Sequence, residues 1–288
     1  DNRRAVTLVQ NLRSAGLSGQ QKVAKLPLVS VVALAVVSGF FGGAVGLLMV
    51  GLMWWISGNP WIRDDAHSHG ISEQDSSRLG GVIIALGYIG FAIVSSNQFS
   101  AASASEQEFA SPLIAAESLF LWGLVAMVGM WDDFVSNIAA PARLTLVSIY
   151  SLLWVVITPG AFQLEAYAWL PALLAHESVL VIACAFVITA FVNAGNMADG
   201  ANGLLSGICL AFFTFTFFEY SSQSVFALIM ALTIFIVFNV GTGKIFLGDF
   251  GSYGLSSAVA MTALVMYGSG NYTMWLLASI VSYPCVEL

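Results

Sequence analysis

Charge is what this sequence has least of. Only 9% of its 288 residues are Asp, Glu, Lys or Arg, against about 25% in an ordinary soluble domain. A water-soluble globular fold is thereby excluded. Positive charge is the scarcer sign: the net charge is −7, and no basic patch supports nucleic-acid binding. Cysteine is nearly absent. Cys184, Cys209 and Cys285 lie inside apolar runs with no pairing rhythm, so they read as small buried hydrophobes rather than as a disulfide or metal set. The strict polar–apolar alternation of membrane barrel strands is also missing.

What the chain does have is long apolar runs, with 58% of residues hydrophobic. In lipid, backbone polar groups must be satisfied within helices or a closed barrel, so the fold class is all-α, a polytopic transmembrane bundle. Runs close to the ~20 residues a span needs fall at roughly 28–56, 79–96, 113–131, 144–162, 179–196, 203–219, 223–240, 252–268 and 272–288. About nine spans are expected, in one membrane-embedded domain over 27–288. Residues 1–26 form a basic tail carrying Arg3, Arg4, Arg13, Lys22 and Lys25.

The connecting segments alternate in kind. Outside the tail, Arg63, Arg78, Arg143 and Lys244 all lie in connections that also carry Asp. The intervening connections hold Glu106, Glu108, Glu165, Glu177 and Glu219 and no Lys or Arg. The positive-inside rule puts the Asp-rich side in the cytoplasm. With nine spans that places the basic tail outside, against the same rule, unless 28–56 does not cross simply; the repeated loop asymmetry is given the greater weight and both alternatives stand. No internal repeat is visible.

Three polar stretches interrupt the apolar pattern on that one side: 131–134 (WDDF), 193–204 (NAGNMADGANGL) and 244–252 (KIFLGDFGS). Ionisable groups at the ends of membrane spans are costly and mark functional sites by default. Asp132, Asp133, Asp199 and Asp249, brought together, can share a divalent cation such as Mg²⁺, which takes oxygen ligands and substrate phosphates. A spacing of three sets Asn193, Asn196 and Asp199 on one helical face, with Asn202 continuing it. Lys244, and a Gly–Ser-rich helix start after it, suit an anion. Taken singly, each stretch also reads as a solvated helix end, a polar loop or an N-cap. His67 and His69 lack further convincing ligands for zinc, and Arg78, at the start of a span, suits a phosphate or lipid head group. A transporter, with broken helices and intramembrane carboxylates, is the rival class, but these carboxylates sit at span ends rather than at the midplane.

These three stretches, with 78–81 (RLGG), resemble in order and form the motifs of the polyprenyl-phosphate N-acetylhexosamine-1-phosphate transferases, which include lipid I synthase and the enterobacterial-antigen and teichoic-acid initiating enzymes. The resemblance runs from about residue 60 to the end. It implies an integral protein of the bacterial inner membrane with a cytoplasmic active site. It implies transfer of a sugar-1-phosphate from a UDP-sugar to undecaprenyl phosphate with release of UMP and with Mg²⁺ (Mn²⁺ as an alternative) as cofactor. A homodimer is compatible with it. By match to the family, Asp132 would face the lipid phosphate with Asp133 beside it, and Asp249 would be the principal metal ligand. Asn196, Asp199 and Asn202 would lie against nucleotide and sugar, Phe246 would stack on uracil, and Asn239 would supply an amide in the same pocket. The chain departs from the family in having Asn202 where many members carry a second Asp. It also stops at Leu288, short of the family's His- and Arg-rich loop, so low activity of this chain alone is expected. An inactive relative is the remaining alternative.

Overall fold

In the computed structural model, residues 28–59, 76–99, 116–135, 138–158, 167, 170, 171, 176–200, 202–220 and 222–268 are described, together with 272, 273, 275, 276, 278, 279 and 282. Among them lie eight helices: α1 Leu28–Gly58, α2 Gly80–Phe99, α3 Ala116–Val135, α4 Ala140–Ile157, α5 Glu177–Ala198, α6 Leu204–Tyr220, α7 Gln223–Thr242 and α8 Gly248–Gly268. The helical expectation holds, and each of the first eight expected spans falls on one helix. The ninth, 272–288, lies largely outside the described residues, as do the basic tail and the segment with His67 and His69. No strand occurs among the described residues; Ser77 and Ile245 make an isolated parallel bridge.

Among the described residues three helices, Ala140–Ile157, Glu177–Ala198 and Gln223–Thr242, are long and apolar enough to cross a membrane. Gly43–Gly58, Gly80–Val94 and Leu204–Glu219 are shorter apolar stretches. α1 is two helical pieces joined at Gly43, whose φ of 54° and ψ of −143° break the helix. Phe186 is 71% and Phe218 80% exposed. Side chains this large and apolar, left uncovered on separate helices, are accounted for by a lipid surround.

The bundle is built around α8. Every residue from 251 to 268 is buried, and the helix packs against α2, α3, α5 and α6. The sequence allows this because α8 is rich in small residues: Gly251, Ser252, Gly254, Ser256, Ser257 and Ala258. In lipid, helix association rests on close van der Waals packing, which small side chains permit. At one crossing Gly81 of α2 lies directly on the backbone of Gly251, leaving no room for a Cβ on either. Some hydroxyls in this interior bond within their own helices: Ser257 Oγ donates to the Gly254 carbonyl at 2.8 Å and Thr189 Oγ1 to that of Ala185 at 2.8 Å, whereas the buried Ser256 Oγ has no hydrogen-bond partner among the described residues. α7 packs on α1, α2 and α6, and α4 covers α5 and α3.

Candidate active site at one end of the bundle

The last turn of α3, the first turns of α2, α4 and α8, and the C-terminal ends of α5 and α7 come to one end of the bundle. The first joint is between backbones. Ser77 N–H donates to the Lys244 carbonyl (3.1 Å), Phe246 N–H to that of Ser77 (2.7 Å), Gly80 N–H to that of Phe246 (2.9 Å) and Gly81 N–H to that of Leu247 (2.7 Å). Helix-start N–H groups have no intrahelical partner, and here the segment before α8 supplies one for α2. Asn239 Nδ2, from the last turns of α7, donates to the Ile245 carbonyl at 2.6 Å and anchors the same segment. Gly248 closes it with φ +73°, and a Cβ there would collide with the Arg78 carbonyl. Glycine is required on both counts.

The second joint brings α3 onto the start of α8. Gly129 sits against the Asp249 carbonyl with no space for a side chain. One turn on, Asp133 Oδ2 accepts the Phe250 N–H at 3.0 Å. A carboxylate at a helix N-terminus takes both an orphan donor and the favourable end of the dipole. Its other oxygen, Oδ1, is buried with no hydrogen-bond partner among the described residues. Asp132 is ion-paired to Arg143 Nη1, and the same nitrogen stands 3.9 Å from Asp249 Oδ2. Arg78 acts electrostatically on both Asp133 and Asp249.

The third joint is with α5. Ser252 Oγ donates to Asn196 Oδ1 at 2.5 Å. Asp199 follows as the C-cap of α5, its N–H bonded to the Gly195 carbonyl at 3.1 Å. Burial pushes the Asp199 carboxyl up to about 8, and the charges of Asp249 and Asp133 add to the effect.

Asp132, Asp133, Asp199, Asp249, Asn196 and Arg78 are therefore brought together. Other expected residues behave differently. Asn193 Nδ2 donates to its own helix at the Thr189 carbonyl, 2.8 Å. Asn202 does not continue the face of Asn193 and Asn196: α5 stops at Ala198, and Asn202 is exposed on the following turn. Lys244 Nζ lies 5.3 Å from the Trp54 ring centroid, a cation–π contact. Phe246 is half-buried, with its backbone engaged in the joint to α2. Asp132 and Asp133 belong to the last turn of α3, and Asp249 to the first turn of α8, rather than to loops. No three acidic, His or Cys side chains among the described residues stand close enough to form a ready-made metal cage.

Residues 116–267 match glycosyl transferase family 4. The chain belongs to this family. Similar proteins include the phospho-N-acetylmuramoyl-pentapeptide-transferases of Gloeothece citriformis (27% identical, covering 98% of this chain and 74% of that protein) and Clostridium acetobutylicum (26%, 88% and 83%). That of Fervidobacterium nodosum is 28% identical over 52% of this chain, and the match spans only 51% of its own length. The stretch matched to glycosyl transferase family 4 contains all four aspartates; Arg78 and the joint it makes with Gly248 draw in a segment before it. Neither a transporter nor an inactive relative is favoured by these similarities.

Sequence reasoning counted Arg143 only as a topological charge, and missed Gly129 and Ser77. The signal for Arg143 was present: it is the one cation in the polar stretch 132–143 that follows the aspartate pair. For Gly129 and Ser77, single small residues inside or before an apolar run, nothing in the sequence distinguished them.

Proposed function

We propose that this member of glycosyl transferase family 4 transfers an N-acetylhexosamine-1-phosphate from a UDP-sugar to undecaprenyl phosphate, releasing UMP, at the cytoplasmic face of the bacterial inner membrane. The observation that carries it is the convergence of Asp132, Asp133, Asp199 and Asp249 from three helices at one bundle end, inside the family-matched region. Trp54, Trp55 and Trp131 are exposed at that same end. Tryptophan belongs at the membrane–water interface, the level at which a lipid phosphate meets a soluble nucleotide sugar.

The donor set suits Mg²⁺, or Mn²⁺ in its place. It is all oxygen, it includes Asp133 Oδ1, which has no hydrogen-bond partner among the described residues, and the ligands it lacks are those that water and substrate phosphates supply to a Mg²⁺ ion. Asp249 and Asp133 are the residues that would hold it, with Asp199 near. When bound, the cation neutralises the diphosphate and the departing UMP. The protein's own groups do the positioning. Asp132 is paired with Arg143. A phosphate monoester, with its second pKa near 6, is already largely ionised at neutral pH, so a base is not needed and Asp132 serves to orient. Asn196 is fixed by Ser252 next to Asp199, where it can face the nucleotide sugar. Phe246, Asn202 and Lys244 line the exposed approach in this reading, and Asn239 holds the segment of Lys244 and Phe246 in place.

The test is UMP release by the full-length protein from a panel of UDP-N-acetylhexosamines with undecaprenyl phosphate, with and without Mg²⁺. Release that needs both lipid and Mg²⁺ is expected. Asp249→Asn should lower it by about a hundredfold or more, the scale of losing a group that stabilises transition-state charge. No release with any sugar of the panel would refute the assignment.

A further inference from the structure

Arg143 stands where its own helix does not favour it. It lies in the first turn of α4, which has Pro141 at its start and no acidic residue in that turn. A cation at a helix N-terminus opposes the dipole. What compensates lies outside α4: the guanidinium pairs with Asp132 of α3 and reaches 3.9 Å from Asp249 of α8. The three side chains are only 27%, 12% and 25% exposed, so their charges are screened far less than those of a surface pair. The guanidinium thus lies beside two carboxylates that stand within hydrogen-bonding reach of each other, paired with Asp132 and at the edge of ion-pair distance from Asp249, on which Arg78 also acts.

We propose that Arg143 is a resident counter-cation of the site. It holds Asp132 and Asp249 together before substrates arrive, gives up Asp249 when a divalent cation binds, and then turns its fork of donors to a substrate phosphate. Arginine suits both duties, since its planar donor fork matches carboxylate and phosphate alike. The exchange also explains why Arg143 contacts two carboxylates unequally: the tight partner, Asp132, keeps the side chain at the site while the looser one is released. This inference rests on the metal reading above and adds to it that metal and Arg143 compete for Asp249.

The competition is measurable without turnover. Mn²⁺ binding to the purified full-length protein can be followed by electron paramagnetic resonance, with inorganic pyrophosphate as the diphosphate probe. Arg143→Gln should bind Mn²⁺ about tenfold more tightly than wild type, the scale of removing one neighbouring like charge. The same variant, loaded with Mn²⁺, should bind pyrophosphate about tenfold more weakly, for loss of a charge-assisted contact. A simple structural brace would move neither affinity in these opposite directions. Should Arg143→Gln not fold, Arg143→Lys carries the test with the same sign and about a threefold effect on Mn²⁺, because a point charge cannot span both carboxylates as the fork does. A variant that folds and binds Mn²⁺ no more tightly than wild type overturns the competition while leaving the metal reading intact. A wild type that binds no Mn²⁺ overturns the metal reading itself and this inference with it.

Discussion

Asp133 and Phe250, 117 residues apart, are joined by a 3.0 Å hydrogen bond from the backbone N–H of the second to the carboxylate of the first. One side chain thus fixes the end of α3 to the beginning of α8 and sets the separation of Asp132 from Asp249. Asp133→Ala should lower the stability of the detergent-solubilised, metal-free protein by about 0.5–1.5 kcal/mol, the net range of one hydrogen bond, because burial raises the Asp133 carboxyl and offsets part of what the bond contributes. Asp133→Asn, which keeps an acceptor, should cost less. Thermal unfolding checks both, and an unchanged melting temperature for Asp133→Ala would show that the bond does not contribute.

The contact between Gly81 and Gly251 predicts a sharp contrast between glycines. A Cβ at Gly81 meets the backbone of Gly251, which cannot swing aside, whereas one at Gly123 meets nothing within 4 Å. Gly81→Ala should cost at least the ~1–3 kcal/mol typical of overpacking and reduce the yield of folded protein. Gly123→Ala should be neutral or slightly stabilising, as expected for a helix position. Equal yields and melting curves for the two variants would contradict the packing described.

Asp199 gives the protein a pH dependence of defined sign. Its carboxyl is raised to about 8 in the folded state, against roughly 3.9 in an unfolded chain. The folded state therefore holds the proton more tightly. This contribution to stability is greatest at low pH and is lost as pH rises through the folded value. Without divalent metal, stability should fall between about pH 4 and 8 with a slope of up to ~1.4 kcal/mol per pH unit from this group. Asp199→Asn should flatten that slope. The measurement is unfolding of the two proteins in chelator across the range, and parallel curves would remove Asp199 as the cause.

The cytoplasmic placement proposed for the site can be tested by chemical labelling. Asn202 is exposed on the turn after α5 and Glu219 is exposed near the opposite end of α6. On a background without Cys184, Cys209 and Cys285, an impermeant thiol reagent added to intact cells should reach Glu219→Cys and miss Asn202→Cys. The reverse pattern would invert the orientation.

The helices were legible because apolar runs of span length leave the backbone little alternative in lipid. So was the common end of the three polar stretches, since alternate connections return to the same side. Relationships between helices were not legible. Asn193, Asn196, Asp199 and Asn202 share a spacing of three, yet the turn beginning at Asp199 takes Asn202 off the face. Asn239 carries an amide suited to a ligand, yet its Nδ2 is spent on the Ile245 carbonyl. Arg143 counts as one positive charge in any sequence tally; only the approach of α3 and α8 makes it a bridge. Periodicity reports which side of a helix a residue occupies, not what another helix brings to that side.

The central position of α8 has a consequence for biosynthesis. Chains are made from the N-terminus, so α2, α3, α5 and α6 are all synthesised before the helix they surround. Until α8 arrives, Asp133 has no Phe250 to cap and Gly81 faces a vacant slot. The nascent bundle must keep that slot open, or reopen it, and the aspartates at its mouth remain hydrated meanwhile. Substitutions that let the earlier helices close on one another should therefore harm assembly during insertion more than they harm the finished protein, and a slow step in folding is expected at the docking of α8.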